Sequence, residues 1–402
     1  MTPRHRTPLT RRKVVTALAG AAVAVPAAAL VAPHALASKS SDGGGAKAKA
    51  AGALPVTIVN NSGAFDNASV FLYIVGNQDG KQVRLTPDGT LAPISLSDNG
   101  ADGFTDYALE LSGSGETKLS LPYMSGRMYV ALGGKLKFKA VEDGNGNAAL
   151  AYPAGWVESD PNYEVLHDCA EFTHNPDGMF CNTTMVDMFS VPLSIRLTGA
   201  KDQTTGTLRD GGRERAFAAV REIPEFERLV VDDRRIIAPG HGLDTGLFDE
   251  NYFAPYIDEV WSTYTGKDLT VTTNAGTFTG RVRGEQFVFS GPASVSFAKP
   301  STRDVLFCDG KLAAPNDGTT GPVAAILGAG FNRSTLVSAP SQPTTDPAAF
   351  YATELTNHYS KAIHAATEDG KAYGFAFDDV ADFASYVQDH APTGFRLELT
   401  PF

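Results

Sequence analysis

Between residue 54 and about residue 198, apolar runs stay short and are cut by turn-forming clusters roughly every ten residues, which leaves no room for a helical face. The run 56–59 stops at Asn60-Asn61-Ser62-Gly63, and the run 70–75 at Gly76-Asn77-Gln78-Asp79-Gly80. Residues 107–111 alternate apolar and polar, as a half-buried strand does. Residues 127–132 and 136–140 read as two strands paired around Gly133-Gly134. Forty glycines and 24 prolines supply the turns. This spacing predicts a β-sandwich or barrel.

After Gly199 the period changes. Residues 213–226 read as a helix until Pro224. Phe253, Tyr256, Ile257, Val260, Trp261 and Tyr264 fall on one helical face, with Pro255 in the first turn and Gly266 at the end. Strands return at 269–271 and 276–282, a helix at 347–367, and strands again at 373–377 and 395–399. The fold class is therefore mainly β with an α/β insertion. A β domain over 54–200 and 369–402 is interrupted by a mixed α/β domain over 201–368.

The first 37 residues have the architecture of an export signal. Arg4, Arg6, Arg11, Arg12 and Lys13 precede an Ala/Val-rich run over 14–31, and Ala35-Leu36-Ala37 forms a small-residue cleavage site. The Arg11-Arg12 pair suits a twin-arginine signal. Residues 38–53 read as a flexible linker. The expected product is secreted, with no stable membrane association after cleavage. It is also expected to be a monomer. Basic residues number 34 and acidic residues 45, a net charge of −11, which excludes nucleic acid as a partner. Cys169 and Cys181 either form a disulfide or stay free thiols, and Cys308 is left over.

Most motifs that resemble catalytic signatures fail on context. There is no G-x-S-x-G and no H-E-x-x-H, and His358 and His364 are wrongly spaced for two ligands on one helical face. No metal or cofactor is expected. Gly144-Asn145-Gly146-Asn147 reads as a hairpin turn, and Gly328-Ala329-Gly330 lacks the third glycine of a dinucleotide loop. Pro239-Gly240-His241-Gly242 reads as a turn carrying a solvent or core histidine.

The segment from Asp168 to Leu197 carries more chemistry. Glu171 lies between Ala170 and Phe172, and Asp187 between Val186 and Met188. Thr173, Asn175, Asn182, Thr183 and Thr184 lie between the two acids. A carboxyl pair in a polar-lined cleft suits glycoside hydrolysis, which needs one protonated acid and one carboxylate. Apolar neighbours can raise one of the two pKa values. A hairpin centred near Met179 sets Glu171 opposite Asp187, whereas a Cys169–Cys181 pair centres the turn at Asn175. One ladder cannot satisfy both. A second acid pair, Asp378-Asp379, ends the run 373–377.

Three segments carry a family resemblance: Ala170-Glu171-Phe172-Thr173, the stretch from Val186 to Leu193, and Phe375-Ala376-Phe377-Asp378-Asp379. Together they resemble glycoside hydrolase family 64, bacterial β-1,3-glucanases with a thaumatin-like fold. The resemblance implies a thaumatin-like β-barrel or sandwich joined to a mixed α/β domain, with a wide groove between them for β-1,3-glucan. It also implies inverting, endo-type cleavage to short oligosaccharides, with Glu171 as general acid and Asp187 as general base. Sugar contacts would fall to Thr173, Asn175 and Thr184, and Asp378 and Asp379 would form the far wall. Phe180 stands where the family has tryptophan; it keeps a ring to stack but lacks an N–H donor. The competing reading is a non-catalytic thaumatin-like β-glucan-binding protein.

Overall fold

The computed structural model describes residues 52–402. The export signal and nearly all of the linker lie outside the described residues. Two sheets form the β part. A five-stranded sheet runs Asp202–Thr205, Leu193–Thr198, Gly394–Leu399, Ala53–Asn60, Thr117–Pro122. The last strand of the chain thus lies between Leu193–Thr198, to which it is antiparallel, and Ala53–Asn60, to which it is parallel. The larger sheet has eight strands. Its main path runs from Tyr386–Asp389 through Gly178–Asn182, Leu166–Asn175, Met124–Leu132 and Val70–Gln78 to Lys81–Leu85 and Leu91–Pro93.

Strand alternation sends each side chain to one of two faces. Leu72, Ile74, Met128, Val130, Ala170, Phe172, Met179 and Cys181 face inward and pack with Val56, Ile58, Ile195 and Leu397 of the five-stranded sheet. The opposite face is covered at one end by Tyr73, Tyr129, Phe138 and Cys169. Cys169 and Cys181 therefore lie on opposite faces of one sheet, and all three cysteines are free. Here the fold decides against the disulfide alternative.

A second core runs from Met185 to Val380 and is built on helices and another five-stranded sheet. Helix Ala254–Gly266 buries Tyr256, Ile257, Val260, Trp261 and Tyr264, the stripe its period predicts. Gly212–Arg221 is the helix expected before Pro224. Residues 144–147 form the hairpin turn between Lys139–Glu142 and Ala148–Ala151.

Other segments depart from expectation. Residues 136–140 do not pair with Met124–Leu132, whose partners are Val70–Gln78 and Leu166–Asn175. Helix is confined to a 3-10 turn at Pro347–Ala349 and to His358–Ala366 within the stretch 347–367. Residues 373–377 form no strand; Tyr373 makes one isolated bridge to Thr184, and turns follow it. Gly328 and Gly330 lie inside helix Thr320–Asn332, which is buried on every side. A Cβ at Gly328 would meet the Cys308 Sγ at 2.9 Å, so this glycine serves close packing.

Candidate active site

The hairpin carrying Glu171 turns between Asn175 and Gly178, with Glu171 opposite Asn182 and Thr173 opposite Phe180. Neither anticipated register is the real one, because Asn175-Pro176-Asp177-Gly178 is itself the turn. The Asn175 Oδ1 accepts the Asp177 N–H at 2.8 Å, and Gly178 takes φ 138°.

Directly opposed residues share a face. Arg127, Glu171, Asn182 and Tyr386 therefore stand in one row across four strands. Ser125, Thr173, Phe180 and Gln388 form the next row. Both rows lie on the face that the Tyr73–Phe138 cluster leaves open.

Asp187 arrives from a different element. It precedes the short strand Met188–Phe189, which pairs with Arg235–Ile237, and its carbonyl accepts the Ala238 N–H at 3.1 Å. Its side chain meets Arg127. The guanidinium donates Nε–H and Nη2–H to Glu171 Oε1 at 3.0 and 2.8 Å, and Nη1–H to Asp187 Oδ2 at 3.1 Å. One cation therefore joins the two carboxylates singled out in the sequence. Side-chain exposure is 15% for Arg127, 21% for Glu171 and 25% for Asp187, so the carboxylates remain open to solvent and to a ligand.

His241 meets the other Asp187 oxygen, with Nε2 2.9 Å from Oδ1. Burial works against charge on Asp187, but Arg127 and the His241 hydrogen bond outweigh it and hold the carboxyl well below the usual carboxylate range. Asn182 Nδ2 donates to Glu171 Oε2 at 3.4 Å, a long contact. A pocket beside Asp187 is lined by Arg127, Tyr129, Trp156, His167, Asp168 and Thr184 among others.

The remaining expected site residues divide. Thr173 is half-buried in the second row, and Phe180 beside it sets its ring edge-on to His390 at 5.7 Å. Thr184 lines the Asp187 pocket. Asn175 closes the turn. Asp379 is half-buried, has a buried Oδ1 without a hydrogen-bond partner, and is pushed up to about 6 by burial. The field of Asp379 and that of Glu171 both reach Tyr373.

Asp378 is a correction. It is 0% exposed and receives Arg333 Nη2–H at 3.0 Å, the Gly374 N–H at 2.9 Å and His364 Nε2 at 2.9 Å. A carboxylate so enclosed faces the protein interior, not a sugar. The turn 375–378, formed where a strand was expected, carries it inward.

Sequence reasoning missed Arg127 and His241. Arg127 had the same signal as the acids: a charge set among apolar residues in a strand with an otherwise mostly buried pattern. His241 had no local signal, since its partner is 54 residues away. Among the described residues, no three His, Cys, Asp or Glu side chains converge as metal ligands would.

The model of glycoside hydrolase family 64, described as beta-1,3-glucanase, matches residues 52–399. The chain belongs to glycoside hydrolase family 64. A glucan endo-1,3-beta-glucosidase of Cellulosimicrobium cellulans is 35% identical over 369 residues, covering 87% of this chain and 65% of the relative. The protein of the same name from Arthrobacter sp. (strain YCWD3) matches with the same identity and coverage. The chain thus spans about 65% of the length of these curated relatives. A laminaripentaose-producing β-1,3-glucanase solved in complex with laminaritetraose superposes with TM-score 0.79 at 35% identity. That match covers 87% of this chain and 99% of the other. A family 64 β-1,3-glucanase domain from Clostridium beijerinckii gives TM-score 0.77 at 30% identity, covering 88% and 99%.

Proposed function

We propose that this chain is a secreted endo-β-1,3-glucanase that cleaves its polymer to short oligosaccharides with inversion at the anomeric carbon. The observation that carries the reading is the Arg127 guanidinium lodged between Glu171 and Asp187 on an open, polar sheet face. The glucan lies in a groove between a thaumatin-like β domain, 54–200 with 369–402, and the α/β domain, 201–368. The neutral polymer tolerates the chain's negative charge.

Glu171 is the general acid. Its Oε1 accepts two N–H groups from Arg127, which leaves Oε2 as the oxygen that delivers a proton to the glycosidic oxygen. Asp187 is the general base. Its depressed pKa keeps it ionised, and it takes a proton from water attacking the opposite face of the sugar. Inversion requires the two carboxyl groups to stand about 6.5–9.5 Å apart, which leaves room for the attacking water. During turnover one negative charge moves from Asp187 to Glu171. Arg127 touches both, so it stays paired with a carboxylate throughout.

Thr173, Phe180 and Thr184 contact sugar, with Asp379 on the facing wall. The twin-arginine leader exports the enzyme, which acts as a monomer. The test is incubation with laminarin-type β-1,3-glucan beside cellulose, xylan and chitin. Oligosaccharides from the β-1,3-glucan alone are expected. Binding without cleavage would overturn the enzymatic reading in favour of a β-glucan-binding protein.

A further inference from the structure

The motif Pro239-Gly240-His241-Gly242 is a helical mount rather than a solvent turn. It forms helix Pro239–Asp244, and the strand before it, Arg235–Ile237, is the one that pairs with Met188–Phe189. The Ala238 N–H donates to the carbonyl of Asp187 itself at 3.1 Å. Backbone pairing therefore fixes how far His241 stands from Asp187.

The imidazole is also held sideways. Trp156 stacks on it at 4.2 Å and 22°, and Phe307 meets it edge-on at 5.4 Å. The flanking glycines make room for this packing. A Cβ at Gly240 would approach the Phe307 ring to 3.0 Å, and one at Gly242 would come within 2.4 Å of Leu229. Held this way, the ring brings Nε2 to 2.9 Å from Asp187 Oδ1.

We propose that His241 is a positioning residue for Asp187. An ionised carboxylate only accepts, so His241 donates its Nε2–H. That bond and the one from Arg127 Nη1 occupy one lone pair on each Asp187 oxygen and lock the carboxylate's rotation. The remaining lone pairs are then fixed in direction for the attacking water. The imidazole never touches substrate; it acts through the base. The inference rests on the reading of Asp187 as general base.

The test compares His241→Ala, His241→Gln, His241→Asn, Asp187→Asn and the double variant Asp187→Asn/His241→Ala, with kcat, KM and pH profiles on β-1,3-glucan and a thermal melt of each. His241→Ala is expected to lower kcat about 10–100-fold, the usual cost of losing an orienting partner, with KM within about threefold. The acid limb of kcat/KM should move to higher pH, because a hydrogen bond to the charged form lowers a pKa and its removal raises it. Gln places an amide N–H near Nε2 and should restore most of the rate, whereas the shorter Asn should not. If His241→Ala fails to fold, the Gln and Asn pair decides alone. On an Asp187→Asn background, His241→Ala should cost little more, since both changes act on one group.

Equal rates and an unshifted acid limb in His241→Ala, beside an inactive Asp187→Asn, would overturn the role of His241 and leave the base assignment intact. Full activity in Asp187→Asn would instead overturn the base assignment itself. A rate loss that is uniform across pH and that Gln does not restore would reduce His241 to a packing residue.

Discussion

Arg127→Met removes the one cation that joins the two carboxylates while keeping the volume of its stem. At about 4 Å and an effective dielectric of about 20, a unit pair interacts by roughly 4 kcal/mol. Asp187 is a quarter exposed, so we take about half of that, roughly 2 kcal/mol or about 1.5 pK units. The sign follows from the cation favouring the ionised form. Without it the Asp187 pKa rises, so the acid limb of kcat/KM moves up by about 1–2 pH units. Loss of orientation should add a fall of about 10²-fold at the optimum.

Stability responds too. Two carboxylates left without their cation cost about 1–3 kcal/mol near neutrality, less than for a fully enclosed pair because both are partly solvated. The cost shrinks as pH falls and the carboxylates protonate. The assays are pH–rate profiles on β-1,3-glucan and thermal melts carried from pH 8 down to about pH 2, where a carboxylate held below its ordinary value titrates. A folded variant with an unmoved acid limb, and a melting deficit independent of pH, would refute the account of Arg127.

Three further outcomes are expected. Glu171→Gln should lower kcat by about 10²–10⁴-fold while calorimetry finds laminari-oligosaccharide affinity within a few-fold; lost binding with residual turnover would assign Glu171 to positioning. Asp378→Ala strands the buried Arg333 and should cost about 3–5 kcal/mol in thermal unfolding. A parental melting point with weaker oligosaccharide binding would return Asp378 to the cleft wall. His167 is buried, and burial together with Arg235 lowers its pKa to about 3; since the unfolded chain protonates near 6.5, it destabilises the fold increasingly as pH falls from about 6.5 toward 3. His167→Asn should flatten that dependence in melts; neighbouring Asp168, pushed up to about 7 by burial, works in the opposite sense, so the difference from the parent is the readout.

Much of the architecture was legible where a single face meets a single core. Short apolar runs ended by turn clusters marked the strands Ala53–Asn60 and Val70–Gln78, and the 3.6-residue stripe marked helix Ala254–Gly266. Helix Thr320–Asn332 was not legible, because a helix buried on all sides has no stripe. The partners of Met124–Leu132 lie far along the chain, so Gly133-Gly134 suggested a local hairpin that the fold does not use.

The site followed the same rule. Glu171 and Asp187 stood out as acids among apolar neighbours, but their register did not. It was written in Asn175-Pro176-Asp177-Gly178, which competed with the cysteine spacing for attention. What holds the acids in place comes from elsewhere in the chain, Arg127 from another strand and His241 from a helix 54 residues on from Asp187.

The most direct measurement is NMR of the first sugar released from β-1,3-glucan, before mutarotation. The account predicts that the new reducing end appears first as the α-anomer. A β-anomer appearing first would mean retention and would make Asp187 something other than a base acting on water.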